Sequence, residues 1–203
     1  GRNKEAIHFY TKAINNAEHY YNFTNNAKDI IPIVMLLENL QDLYASQHKY
    51  KQMYEYADKA MHYAQIYMKR FTSASSKLLY AEMLCQKAYI NAKLRRTTTV
   101  EQELVEWLKK SENSGSIFID RYTQLTGKIY QTFAINYYNK NLLKEALNSI
   151  NKAINITPEN ITLYSNKINI LNALDKKEET IAIKEKIHNI EKNTPTKKNN
   201  SQT

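Results

Sequence analysis

The chain has 203 residues, of which 42% are hydrophobic and 24% charged, a balance typical of a folded domain. Its 29 Lys and Arg residues against 20 Asp and Glu residues give a formal charge of +9. One cysteine excludes an internal disulfide and a cysteine metal site, and three glycines are too few for a phosphate-cradling loop. No apolar run approaches the roughly 18 residues that a membrane-spanning helix needs.

The N-terminal part of the chain shows the apolar periodicity of paired helices. Asn3–Ile14 is typical of the second helix of a pair whose first helix is absent. We therefore expect residues 1–23 to be the trimmed edge of a longer protein, or a helix that packs on the next pair. Ala27–Ser46 and Lys49–Arg70 predict that next pair, with Pro32 in the opening turn of its first helix.

The middle of the chain predicts a less regular pair, formed by Ser76–Arg95 and Val100–Ser111. Thr72–Ser76 offers residues that could cap the first helix, and Thr98–Glu101 has the pattern of a capping box before the second. Ser111–Ser116 is the clearest break in the chain, although it is too short to be a domain linker.

The C-terminal part has the most regular pattern. Ile117–Lys140 and Leu142–Ile156 predict one helix pair, and Glu159–Leu174 and Lys176–Glu191 predict the last. The tail at residues 193–203 has no apolar side chain, so we expect it to be disordered.

Residues Gly127–Asn160 place small, aromatic and aliphatic side chains where a helix–turn–helix repeat of about 34 residues needs them. Small residues let two helices cross closely, and larger ones fill the space beside the crossing. We expect Thr157 to cap the next helix and Pro158 to lie in its first turn. The matching positions are Tyr130, Phe133, Ala134, Tyr137, Ala146, Ile150, Ala153 and Pro158.

This pattern resembles the tetratricopeptide repeat. The resemblance is best over residues 34–67, 127–160 and 161–192. It implies an all-α fold, a right-handed superhelical solenoid of antiparallel helix pairs that forms one domain over residues 1–192. The scarcity of glycine and proline agrees with long helices and short turns.

The last repeat departs from the pattern at Thr180, Lys184 and Ile187. Polar departures of this kind suit a terminal repeat that caps the stack with one solvated face.

Members of this family bind ligands on the concave surface made by the first helix of each pair, so the resemblance implies a binding scaffold. Carried over to this chain, the expected contact residues are Glu38, Asp42, Lys128, Gln131, Ile135, Tyr138, Asn139, Ser165, Asn166, Asn169 and Asn172. Their mixed polar character suits an extended peptide held by side-chain amides. Gln131 and Ile135 stand where one subclass uses lysine and asparagine to grip a peptide's terminal carboxylate, so we do not expect that clamp.

Catalytic and metal-binding patterns are absent from the sequence. Cys85 and Trp107 lie at helical spacing among apolar residues, and we expect both to be packing residues. The histidines show no metal-ligand spacing, so we expect neither a metal nor a cofactor. They are His8, His19, His48, His62 and His188.

The leading hypothesis is therefore a non-catalytic scaffold that binds a protein or peptide. The alternative is the sensory or regulatory segment of a larger signalling protein, such as a transcription regulator or sensor kinase, because the chain begins with half a repeat and no methionine. A basic helical repeat that binds nucleic acid is a further alternative, which the scattered basic residues disfavour. We expect a cytoplasmic location, or a periplasmic one if an upstream segment is a signal or anchor.

Overall fold

The structure, a computed structural model, describes residues 2–96, 101–112 and 119–193. These residues are almost entirely helical and include no strand, which confirms the all-α class. In chain order the elements are α1 (Arg2–Thr24), a 3₁₀ turn (Ala27–Asp29), α2 (Ile30–Ala45), α3 (Tyr50–Arg70), α4 (Ala74–Lys93), α5 (Glu101–Glu112), α6 (Ile119–Asn139), α7 (Leu143–Ile156), α8 (Ile161–Ala173) and α9 (Lys177–Asn193).

Most helix ends lie within a few residues of their predicted positions. Pro32 is in the opening turn of α2, as predicted. Ser73 caps α4 by accepting the Ser76 N–H at 3.2 Å, so the cap lies within the predicted cluster. Most of the predicted capping box at Thr98–Glu101, most of the break at Ser111–Ser116 and all but the first residue of the tail lie outside the described residues.

The predicted N-cap of α8 is wrong by about one turn, and the helix begins at Ile161, two residues after its predicted start. Asn160 is its N-cap, with the side-chain oxygen accepting a backbone N–H two residues later at 3.1 Å. Thr157 instead ends α7, where its hydroxyl donates to the Ala153 carbonyl at 3.2 Å. Pro158 lies in the turn between the two helices, and its carbonyl accepts the Tyr164 hydroxyl at 2.7 Å. This contact joins the first turn of α8 to the turn that precedes it.

The contact between α8 and α9 buries Thr180, one of the residues that the sequence predicts on a solvated face. Thr180 is 6% exposed, and its hydroxyl lies 3.1 Å from the Lys176 carbonyl and 3.2 Å from Asn172 Oδ1. Hydrogen bonding lets this polar residue occupy a buried crossing position. Lys184 is exposed and Ile187 is half-buried, so the solvated face lies further along α9.

α1 packs along α2 and is also linked to α3. Ile14 and Tyr21 are buried against the core of α2. Glu18 accepts hydrogen bonds from Lys59 Nζ at 2.7 Å and from the Tyr63 hydroxyl at 2.9 Å, both on α3. Residues 2–24 therefore form a helix that packs on the next pair.

Close helix crossing is clearest between α6 and α7. Ala134, Ala146 and Ala153 are fully buried in one core cluster. Gly127 belongs to the same contact, because a Cβ atom there would lie 3.3 Å from Cγ2 of Ile156. Small side chains thus let the two helices approach, as the repeat pattern predicts.

Four helices, α2, α4, α6 and α8, end in the same kind of turn. Between α2 and α3, His48 has a φ of 56°, its N–H donates to the Ala45 carbonyl at 2.9 Å, and the Lys49 N–H donates to the Tyr44 carbonyl at 3.0 Å. This is the Schellman arrangement, which satisfies the last carbonyls of a helix. The same two hydrogen bonds recur in the turns after α4, α6 and α8, where the left-handed residues are Arg95, Asn141 and Asp175.

α6 is the first helix of its pair and lies next to the first helices of two other pairs, because its Cα atoms come within 8 Å of those of both α4 and α8. Among the described residues, α2 does not approach α4 that closely. Across the described ranges, no two of α1, α3, α5, α7 and α9 approach each other that closely. From α4 to α8, the first helices are therefore closer together than the second helices.

Ala146→Phe tests the close crossing. A phenyl ring cannot fit at this fully buried position, so we expect the free energy of unfolding to fall by about 3 kcal/mol. Thermal or urea unfolding followed by circular dichroism measures the change. Asn148→Phe, at an exposed position of the same helix, should change stability by no more than about 0.5 kcal/mol. Equal stability of the two variants would contradict the close crossing.

Candidate binding face

A cluster of charged side chains spans α2, α4 and α6. Glu38 and Asp42 are one helical turn apart on α2, and Glu82 on α4 and Arg121 and Lys128 on α6 lie near enough to act on Glu38 electrostatically. Arg121 Nε donates to Glu82 Oε1 at 3.0 Å, and its Nη2 binds the other carboxylate oxygen. This two-point contact fixes the guanidinium group and ties α6 to α4.

The Glu38 carboxylate is the unfavourable charge in this cluster. Burial raises its pKa, and the neighbouring Glu82 and Asp42 raise it further, while Lys128 and Arg121 oppose the shift. Arg121 is already engaged by Glu82, and Lys128 is exposed. The positive charges of the cluster therefore compensate the negative charge of the half-buried Glu38 carboxylate only in part.

A pocket of about 190 Å³ lies between the end of α4, the second half of α6 and the middle of α8. Arg121, Lys128 and Ile135 are seven residues apart in turn along α6, so the charge cluster and the pocket share one side of that helix. We call the surface that carries both the first-helix face. The pocket is lined by Ala92, Lys93, Arg95, Ala134, Ile135, Tyr138, Asn139, Asn166, Asn169 and Ile170.

Two asparagines of the pocket have different roles. Asn139 Nδ2 donates to the Ala92 carbonyl at 2.7 Å, which satisfies a carbonyl in the last turn of α4 and joins that helix to α6. Asn166 Nδ2 is buried and has no hydrogen-bond partner within the described part of the chain. A buried amide donor without an acceptor costs about 1–3 kcal/mol. A ligand that supplies an acceptor oxygen would relieve that cost.

Two cations border the same pocket. Burial lowers the pKa of Lys93, whose Nζ lies 5.4 Å from the ring centroid of Tyr89. Arg95 adopts the left-handed conformation of the turn, with φ 54°, and is exposed. The described lining includes no carboxylate. Cationic and amide donors without a counter-anion suit an acidic or carbonyl-rich ligand.

The pocket brings together five of the contact residues predicted from the repeat resemblance. The charge cluster contains three more. Gln131 is 9% exposed, so little of its side chain reaches the surface. The pocket residues are Ile135, Tyr138, Asn139, Asn166 and Asn169, and the cluster residues are Glu38, Asp42 and Lys128.

The remaining two predicted residues lie away from the pocket. The Ser165 hydroxyl donates to the Ile161 carbonyl of its own helix at 3.2 Å. Asn172 lies beside Thr180 and therefore next to α9.

Sequence reasoning missed the contribution of α4, which supplies Glu82 and Lys93, and of the Arg95 turn. Neither helix of the α4–α5 pair carries the repeat pattern, so no position could be transferred to it. The basic pair Arg95–Arg96 at the end of the predicted helix Ser76–Arg95 was the available signal.

Other features give no sign of a metal or membrane site. No group of three or more His, Cys, Asp or Glu side chains in residues 2–96, 101–112 and 119–193 has the geometry to hold a metal ion. None of the helices there is both long and apolar enough to cross a bilayer. Cys85 is fully buried, as predicted, and burial raises its pKa to about 12, so the thiol stays protonated.

Comparison with known proteins informs the fold. No protein-family model matches the chain, and no match is found among curated proteins. The chain is similar to the crystal structure of BtubC (BKLC) from P. vanneervenii, with a TM-score of 0.53 over 95% of this chain and 92% of that one. The two sequences are 13% identical. The shared feature is a helical-repeat-like, all-helical fold over nearly the whole length.

Glu38→Gln tests the electrostatics of the charge cluster. The folded-state pKa is raised above 4.5, so the folded protein binds more protons than the unfolded chain as pH rises above that value. The stability of the parent protein should therefore decrease as pH rises from about 4.5 through the raised pKa of Glu38. The glutamine variant has no carboxyl group at this position, so its stability should not show this decrease. We expect its advantage in melting temperature over the parent protein to be larger at about pH 8 than at about pH 4.

The control is Glu145→Gln, at an exposed position on α7. The difference in melting temperature between this variant and the parent protein should not increase from about pH 4 to about pH 8. If the difference for Glu38→Gln is also the same at both pH values, the ionised Glu38 carboxylate does not destabilise the fold.

Proposed function

We propose that this chain is a non-catalytic scaffold of tetratricopeptide-like repeats that binds a protein or peptide on the first-helix face. The repeated Schellman turn supports the repeat assignment, and Asn141 and Asp175 lie one period of about 34 residues apart. The spacing of the helices supports a curved stack, because α6 approaches both α4 and α8, whereas no two of the described second helices approach each other. In such a stack the first helices line the inner, concave side.

The pocket between α4, α6 and α8 is the observation on which the proposal mainly depends. It combines two cations, Lys93 and Arg95, with the unpartnered amide donor of Asn166. Tyr138 adds a flat contact surface, and tyrosine loses little side-chain entropy on binding. An extended segment could place an acidic side chain or a backbone carbonyl at these donors.

Affinity would come from a site that already exists in the free protein. The pocket is made by three helices: α4 and α6 share one buried core and the Asn139 hydrogen bond, and α6 and α8 share another core with α7. Little ordering of the scaffold is then needed on binding, which leaves more of the contact energy for affinity. At about 190 Å³ the pocket holds one side chain, so neighbouring parts of a partner would extend along the first-helix face.

Selection from a displayed random peptide library tests this function. We expect the selected peptides to be rich in Asp and Glu. Lys93→Gln and Tyr138→Ala should each weaken the binding of a selected peptide by about tenfold in fluorescence anisotropy, since each removes a central contact. Helical circular dichroism should stay unchanged. Asn139→Ala is a poorer test, because Asn139 also joins α6 to α4.

Lys144→Gln, at an exposed position on α7, is the matched control for the loss of one positive charge. If both pocket variants bind the selected peptides as tightly as the parent protein does, the pocket is not the binding site. If the library yields nothing and random RNA binds with a steep dependence on salt, the protein binds nucleic acid instead.

A further inference from the structure

A second, larger cavity lies near the other end of α4, between the end of α3, the start of α4, α5 and the start of α6. Its volume is about 440 Å³, within the roughly 300–1,000 Å³ range of small-molecule sites. The cavity exists because α3 and α5 do not touch: none of their described Cα atoms lie within 8 Å of each other. It is lined by Met68, Ala74, Lys77, Tyr80, Glu103, Glu106, Trp107 and Tyr122.

The walls of this cavity are mainly aromatic and apolar. Tyr80 on α4, Trp107 on α5 and Tyr122 on α6 contribute rings from three helices, and Met68 adds a polarisable thioether from α3. Trp107 is 8% exposed and belongs to the core beneath the cavity, so its ring is held in place. The negative faces of tyrosine and tryptophan rings attract organic cations, at about 0.5–2 kcal/mol for each contact.

Two carboxylates stand among these rings. Burial raises the pKa of Tyr80, and the charge of Glu103 and a hydrogen bond to it raise that pKa further. The Tyr80 hydroxyl therefore stays protonated and donates to the Glu103 carboxylate, which holds that carboxylate at the cavity wall. Glu106 is one helical turn from Glu103 and is exposed. Lys77 is the one cation in the described lining, and it is also exposed.

We propose that this aromatic and acidic cavity binds a small alkylammonium compound. The rings and the two carboxylates attract a positive charge from several directions, and an anion would face both carboxylates. A cation on a short aliphatic stem also places its methylene groups against Met68 and Ala74. The site is separate from the pocket on the first-helix face and does not depend on the peptide-binding function.

Trp107 is the only tryptophan of the chain, so its fluorescence reports on the cavity directly. Titration of the protein with choline should change that fluorescence to saturation. 3,3-Dimethyl-1-butanol has nearly the shape of choline without its charge, and we expect it to bind at least about tenfold more weakly. Glu103→Gln together with Glu106→Gln should weaken choline binding by about tenfold or more. Glutamine can still accept the Tyr80 hydrogen bond, so the wall should keep its shape.

Lys77→Gln should act in the opposite direction and tighten choline binding by roughly threefold, because it removes the competing positive charge. Glu145→Gln, on α7, is the control and should leave binding unchanged. If the double variant fails to fold, the exposed single changes Glu106→Gln and Lys77→Gln still give opposite expected shifts. No saturable fluorescence change, equal binding of the neutral alcohol, or binding insensitive to both changes would overturn the proposal.

Discussion

Close crossing of paired helices at alanine is the constraint on which the rest of this structure depends. Ala57, Ala60 and Ala64 on α3, and Ala146 and Ala153 on α7, are buried almost completely where each second helix meets its partner. Tyrosines and long aliphatic residues then fill the space beside each crossing. Because α7 packs closely on α6 and also contacts α8, its buried alanines influence how α8 sits beside α6, and these two helices form two walls of the pocket.

Much of the fold can be predicted from the sequence, because apolar periodicity and short polar turns locate the helices. α3 is predicted at Lys49–Arg70 and found at Tyr50–Arg70. The N-cap of α8 was missed because Thr157 and Asn160 are both good capping residues. In the structure Asn160 is the cap, and the Tyr164 hydroxyl donates to the Pro158 carbonyl in the preceding turn, a contact that helix-capping patterns do not contain. The sequence also does not predict which turn residues adopt the left-handed conformation, since none of them is a glycine.

The candidate sites are predictable only where the repeat pattern is clear. Positions on α6 and α8 follow from the phase of the repeat, and five of them line one pocket. Lys93 and Glu82 on α4 could not be found this way, because the α4–α5 pair lacks the pattern. The pairing of Glu82 with Arg121 joins distant parts of the chain and leaves no local signal. The aromatic cavity depends on the gap between α3 and α5, whose described residues do not contact each other. The sequence of neither helix alone predicts such a gap.

The self-contained turns have a consequence for the dynamics of the protein. Each is closed by backbone atoms of six consecutive residues, so a helix pair keeps its hinge even when its neighbours separate. Cooperativity then depends on the interfaces between helices, and α9 has the fewest neighbours, touching only α8 among the described helices. α9 is therefore the element most easily detached by a local fluctuation. Amide hydrogens in α9 would exchange early, while those in α6 and α7 remain protected.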